Sequence, residues 1–126
     1  KTSREMGRAL DESTPVDEAS IKRGPYVWGK AESEVLAARL GRELGIGVRI
    51  IRPGPLVDYT AYHPPGRLGR ELGPLFVGIG PKRGPLSVCD VTTAAKVVRL
   101  YLDEFDTAPP VLNMVEAPPP SRHDLM

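Results

Sequence analysis

Apolar residues recur at helical spacing in the first third of the chain. Leucines follow one another every four residues, at Leu36, Leu40 and Leu44. Pro25 suits the first position of a helix, and Gly45 is typical of a residue that ends one. The spacing predicts a helix over residues 25–44 with one apolar stripe that packs against a neighbour.

A second helix is predicted after residue 90, where Asp90 can cap the first turn with its carboxylate. Apolar residues again fall on one face of this helix. The residues expected on that face are Val91, Ala94, Ala95, Val98, Leu102 and Phe105.

Short β-branched runs lie beside the two helices. Residues 48–52 end at a Pro-Gly turn, and residues 111–115 are followed by three consecutive prolines at 118–120. Both runs have the composition of short strands. Helices that alternate with strands favour an α/β fold with a parallel or mixed sheet covered on both sides.

The region between the two helical patterns is rich in glycine and proline. Residues 53–85 predict a long connection with a small helix near residues 68–72 and a short strand at 75–79. Connections of this length are usually functional or mobile. The chain therefore divides into a polar loop at 1–24, a helix and strand at 25–52, this connection, and a helix and strand at 86–126.

The amino-acid composition argues against several classes of protein. The chain of 126 residues is long enough for one small domain, and its 17 Lys and Arg balance 16 Asp and Glu. This balance argues against nucleic-acid or membrane-surface partners, and the polar start and short apolar runs predict a cytoplasmic protein. Cys89 has no partner for a disulfide. His63 and His123 are far apart and have no Cys or acidic cluster at ligand spacing, so no metal site is expected.

Both ends of the sequence suggest a piece of a longer protein. Lys1 begins a polar stretch without an initiator Met, and Ser121 with Asp124 has the spacing of a helix start just before the chain stops at Met126. A frayed polar tail explains the second feature equally well.

Tyr26 and Lys30 lie four residues apart at the start of the first predicted helix, which places them on one face. A phenol titrates near pH ~10, but an adjacent ammonium and the positive end of a helix both stabilise the phenolate. Such a pair suits the oxidation of an alcohol, in which a base removes the hydroxyl proton as hydride leaves. A surface pair without chemical function has the same spacing.

Several further motifs occur in a defined order around this pair. They are Thr2-Ser-Arg-Glu5, Pro15-Val-Asp-Glu18, Pro25-Tyr-Val-Trp-Gly-Lys30, Val48-Arg-Ile-Ile-Arg-Pro-Gly54 and Leu86-Ser-Val-Cys-Asp-Val91. Through nearly its whole length, the chain resembles the C-terminal half of the extended short-chain dehydrogenase/reductase family, the NAD-dependent epimerases and dehydratases. The resemblance implies half of a Rossmann-type doubly wound sheet with part of the substrate-binding region.

The resemblance also implies roles for the catalytic residues. Tyr26 would be the acid/base, and Lys30 would hold the nicotinamide ribose and favour the phenolate. The third member would be a hydroxyl residue that hydrogen-bonds the substrate oxygen. Thr2 matches that position best, with Ser3 as the adjacent alternative.

Further residues would lie near the cofactor and substrate in the resembled fold. Pro53 and Gly54 would lie beside the nicotinamide carboxamide, although a strand-ending turn explains them too. Asp90 would lie at the edge of the substrate cleft, or act only as a helix cap. Arg70 could meet an anionic substrate, or simply face solvent.

One family feature is missing from the sequence. The Gly-x-x-Gly-x-x-Gly turn that binds the cofactor pyrophosphate does not occur, so the fragment alone should bind dinucleotide poorly and be inactive. The resemblance predicts the substrate-binding and catalytic part of an NAD or NADP-dependent epimerase, dehydratase or dehydrogenase that acts on an alcohol or sugar. It also predicts a homodimer or association with the missing N-terminal half. The alternative is a non-catalytic binding or assembly module that retains the fold.

Overall fold

The structure is a computed structural model that describes residues 11–15, 20–63, 68–78 and 84–125. Its contacts divide the chain into two compact units. The first unit comprises Lys1–Ile50 and Asp106–Leu112, and the second comprises Ile51–Phe105 and Asn113–Met126.

The first unit is built around helix α1, Pro25–Leu44, preceded by a short 3-10 helix at Ser20–Arg23. Both predicted ends of α1 are confirmed. Pro25 occupies the first turn, and Gly45 adopts the left-handed conformation with φ 66° while its N–H donates to the Gly41 carbonyl. Glycine reaches this conformation without steric cost, which explains why the helix ends there.

The apolar stripe of α1 is exposed within this chain, and whether a partner covers it stays a prediction. Leu36, Leu40 and Leu44 retain 44%, 39% and 66% of their accessible surface. The buried position of the helix is Gly41, whose missing side chain leaves room for the Val48 side chain. The side of α1 that packs against the chain is therefore the side of Gly41. An analysis of the spacing of apolar side chains does not consider glycine positions.

The described strands pair two by two. β1, Ile50–Pro53, pairs with β6, Val111–Met114, and β2, Leu56–Val57, pairs in parallel with β5, Cys89–Asp90. In the first pair Ile50 N–H donates to Pro110 O and Gly54 N–H donates to Met114 O, both at 2.9 Å, so these strands are also parallel. The chain is therefore mixed α/β, as predicted.

An antiparallel hairpin replaces the predicted small helix at residues 68–72. It consists of β3, Gly69–Leu72, and β4, Leu75–Gly78, with Gly73 at φ 62° in the reversal. A Cβ on Gly69 would collide with the Val77 carbonyl, so only glycine permits this close strand approach. A five-residue segment that contains Gly69 and is followed by Gly73 forms too few intrahelical hydrogen bonds to offset helix nucleation. The strand predicted at 75–79 is confirmed over Leu75–Gly78 as β4, and residue 79 lies outside the described residues.

The core of the second unit gathers residues that are far apart in sequence. Val57, Leu68, Val88 and Leu125 are each at most 3% exposed. Partly buried Tyr62, Phe76 and Leu86 pack around this cluster. The penultimate residue of the chain thus belongs to the core.

Helix α2, Val91–Asp103, belongs to the second unit and starts where the sequence predicts. Its packed face is rotated from the predicted one, because Tyr101 is buried at 7% exposure whereas Val98 and Leu102 remain 47% and 70% exposed. Ala94 and Val97 are partly buried on α2, and so is Phe105 in the turn after the helix. Of the predicted face, Ala94 and Phe105 are therefore confirmed as partly buried. The buried Tyr101, whose ring is largely apolar, was not in the predicted set.

Candidate functional site

Helix α1 brings Tyr26 and Lys30 together within its first two turns. The Lys30 Nζ atom lies 5.8 Å from the centroid of the Tyr26 ring, a distance at which an ammonium interacts favourably with an aromatic face. The Tyr26 side chain is 73% exposed. The predicted juxtaposition is confirmed, and the pair is open to a ligand.

The electrostatic surroundings of the pair are positive. The N-cap residue, Gly24, provides no side-chain hydrogen bond, and the first turn of α1 contains no acidic residue. Lys22 and Arg23 end the preceding 3-10 helix. Since a helix N-terminus carries partial positive charge, this end of α1 favours a bound anion.

The hydroxyl member of the predicted catalytic set, Thr2 or Ser3, lies outside the described residues. Its role stays a prediction. The same holds for most of the Pro15-Val-Asp-Glu18 motif, of which only Pro15 is described.

Pro53 and Gly54 end β1 and begin the following turn, in the second unit. A Cβ on Gly54 would collide with the carbonyl oxygen of Ser87. Close backbone approach therefore accounts for the glycine, as the turn interpretation predicts. The cofactor contact of these residues stays a prediction.

Asp90 caps α2, as its alternative interpretation predicts. Its Oδ2 atom accepts hydrogen bonds from Thr93 N at 2.9 Å and Thr93 Oγ1 at 3.0 Å. The backbone hydrogen bond from Thr93 is the main reason that the pKa of Asp90 lies below its usual value. Arg70 lies on β3 opposite Val77 and is exposed, so it remains available to an anion.

Two tyrosines that the sequence analysis did not select lie in the second unit. The Tyr59 hydroxyl donates to Glu116 Oε2 at 3.1 Å, and partial burial together with this carboxylate raises the pKa of Tyr59 to about 12. The Tyr59 and Tyr62 rings stack with centroids 6.1 Å apart. The Tyr-x-x-Tyr spacing within a Gly- and Pro-rich segment was the available signal, but the partner Glu116 lies too far along the chain to be inferred.

Cys89 is buried at 1% exposure, and burial raises the pKa of its thiol. Cys89 is therefore a small core residue, because a reactive cysteine needs an accessible thiolate. The part of the chain that the structure describes contains no group of His, Cys, Asp and Glu residues able to hold a metal ion. Within the same ranges, no helix is long and apolar enough to cross a membrane.

The first unit also contains an open groove of about 470 Å³ along the C-terminal half of α1. Gly41, Ile46, Val48 and Val111 make most of its wall apolar, and Arg42 contributes the charge. Tyr26 and Lys30 are not among its lining residues.

Comparison with known proteins yields no relative. The chain matches no protein-family model, no curated protein and no solved structure. The short-chain dehydrogenase/reductase assignment therefore rests on the motifs in the sequence.

Proposed function

We propose that this chain is the substrate-binding and catalytic part of an NAD(P)-dependent epimerase, dehydratase or dehydrogenase that acts on an alcohol or sugar. The observation that carries the proposal is the Tyr26–Lys30 pair, with its ammonium 5.8 Å from the phenol ring centroid. The ordered motifs on both sides of the pair support the same family. On this proposal, the complete Rossmann-type sheet includes an N-terminal half that holds the adenine and pyrophosphate.

The proposed residues fit a nicotinamide cofactor in charge and in available donors. Lys30 forms no ion pair with a described acid, so its three N–H donors are free for ribose hydroxyls. The absence of acidic residues from the first turn of α1 suits a ligand that carries phosphate charge.

The mechanism follows from the acid/base properties of the pair. A bound NAD(P), with its ribose held by Lys30, would supply the hydride acceptor for the alcohol carbon. The Tyr26 phenolate accepts the hydroxyl proton, so the alcohol becomes a ketone and the phenolate becomes a phenol. Lys30 lies on the same helix face as Tyr26 and would hold the ribose beside the reacting alcohol. In the reverse direction, Tyr26 returns the proton to the substrate oxygen.

A cofactor titration of the encoded full-length protein tests the proposal. We expect Lys30→Ala to weaken NAD or NADP binding about tenfold or more, because a charge-assisted hydrogen bond to the ribose is lost. Lys22→Ala is the matched control, since it removes an exposed lysine from the preceding 3-10 helix. Equal effects of the two substitutions on cofactor affinity would argue against a specific role for Lys30.

The exposed leucines of α1 favour an assembly role as a second function. The stripe of Leu36, Leu40 and Leu44 is the kind of apolar surface that a partner covers. A second copy of this chain or the proposed N-terminal half could do so. Light scattering measures the molar mass of the wild type and of Leu40→Asp in solution. If the chain associates through this stripe, the wild type has the mass of an oligomer and Leu40→Asp has a lower mass. Equal masses for the two proteins would argue against association through the stripe.

A further inference from the structure

Residues 116–125 run across the second unit and contact two separate segments of it; we call these residues the clasp. Three backbone hydrogen bonds join the clasp to residues 84–88. They are Glu116 N–H to Val88 O at 2.8 Å, Leu86 N–H to Pro120 O at 2.8 Å, and Arg122 N–H to Gly84 O at 3.3 Å. Pro85 and Ser121 also form an isolated antiparallel bridge.

Two tyrosine hydroxyls join the clasp to the other segment, residues 57–62. Tyr59 donates to Glu116 Oε2 at 3.1 Å, and Tyr62 donates to the Leu125 carbonyl. The two hydrogen bonds therefore hold the first residue of the clasp, Glu116, and its last residue, Leu125. The stacked rings of Tyr59 and Tyr62 fix the spacing of the two hydroxyls.

One apolar side chain anchors the far end of the clasp. Leu125 is 1% exposed and packs with Val57 and Val88, which belong to the two segments that the clasp contacts. The turn before it is held locally, because Ser121 N and Oγ donate to Asp124 Oδ2 at 2.8 and 2.7 Å. The clasp is thus preformed at its tip and attached through contacts at both ends.

We propose that the clasp opens and closes as one cooperative unit, and that its opening frees residues 57–62 and 84–88. Residues 57–62 lie within the Gly- and Pro-rich connection at 53–85. The inference concerns the second unit itself and does not depend on the proposed function.

The cooperativity follows from the arrangement of the contacts. Leu125 packs with Val57 and Val88, one from each contacted segment, so its displacement weakens the contacts of the clasp with both segments together. Among the described residues, the clasp is attached through one deeply buried side chain, three backbone bonds to residues 84–88, two tyrosine hydroxyls, one on the 46%-exposed Tyr59, and a further contact of Arg122. Segments with few buried contacts are those that open well below the free energy of global unfolding.

Native-state amide hydrogen exchange tests the proposal. The probes are the amides of Leu86, Glu116 and Arg122, each of which donates across the boundary of the clasp. In Tyr59→Phe and in Tyr62→Phe, we expect all three amides to exchange about five- to tenfold faster by a common factor, because one hydrogen bond of the closed state is missing. The Gly54 amide, bonded to Met114, is the internal reference and should be unchanged.

Tyr26→Phe is the matched control, since it removes a tyrosine hydroxyl from the other unit. We expect no change in the three amides in this variant. Acceleration only at Glu116 in Tyr59→Phe, or unchanged exchange in both variants, would overturn the cooperative clasp. If Tyr62→Phe fails to fold, Tyr59→Phe decides alone, because its hydrogen bond is at the surface. The measurement needs neither cofactor nor turnover, so its failure is distinct from failure of the proposed enzymatic function.

Discussion

Substitution of Leu125 by alanine should destabilise the second unit strongly. Leu125 is 1% exposed within the cluster that includes Val57, Leu68 and Val88. The substitution removes three side-chain carbons from this cluster.

The size of the effect follows from burial. Loss of three buried carbons costs about 2 kcal/mol at ~0.8 kcal/mol for each. The cavity left behind adds about 1–2 kcal/mol, which brings the total to about 3–4 kcal/mol, within the range of buried leucine truncations. With a urea m value of about 1.5 kcal/mol/M, the unfolding midpoint should fall by about 2 M.

Urea denaturation followed by far-ultraviolet circular dichroism measures this shift. Leu102→Ala is the control, since it makes the same change at a side chain that is 70% exposed on α2. Its effect should stay within about 0.5 kcal/mol. If the two variants unfold at the same urea concentration, Leu125 is not a core residue and the packing of the clasp is wrong.

Two further predictions concern local backbone structure. Gly69→Ala should lower the stability of the β3–β4 hairpin by about 2 kcal/mol or more, because the added Cβ meets the Val77 carbonyl. Thermal unfolding of the variant measures this loss of stability. A melting temperature equal to that of the wild type would contradict the strand register. The cap of α2 predicts a pH dependence. Because the folded-state pKa of Asp90 lies below its usual value of 3.8, the cap stabilises fully above that pH and weakens as the pH falls through the folded-state pKa. The difference in melting temperature between wild type and Asp90→Asn should therefore shrink on acidification, and a constant difference would exclude the charged cap.

Local signals in the sequence predicted much of the secondary structure. Pro25 and Gly45 define α1, and Asp90 defines the start of α2, since each acts on the backbone within one turn. The packed faces could not be predicted in the same way. They depend on Gly41, which admits Val48, and on Tyr101, whose ring is buried although its residue type is polar.

In the candidate site, too, contacts between residues close in sequence could be predicted and contacts between distant residues could not. Tyr26 and Lys30 meet because helix geometry fixes residues four apart, so sequence spacing suffices. The Tyr59–Glu116 bond joins positions 57 residues apart and depends on how two segments of the second unit fold together. No local sequence pattern predicts a contact between residues so far apart. The clasp could therefore be recognised only in the structure.

The central claim is that Tyr26 is the acid/base of a nicotinamide-dependent reaction. The most direct measurement compares wild type with Tyr26→Phe in the encoded full-length protein, with reduced nicotinamide monitored by absorbance across a panel of alcohols and nucleotide sugars. We predict that wild type turns over at least one of them, and that Tyr26→Phe loses at least about a hundredfold in turnover while cofactor affinity is nearly unchanged. Equal turnover by the two proteins would contradict the account.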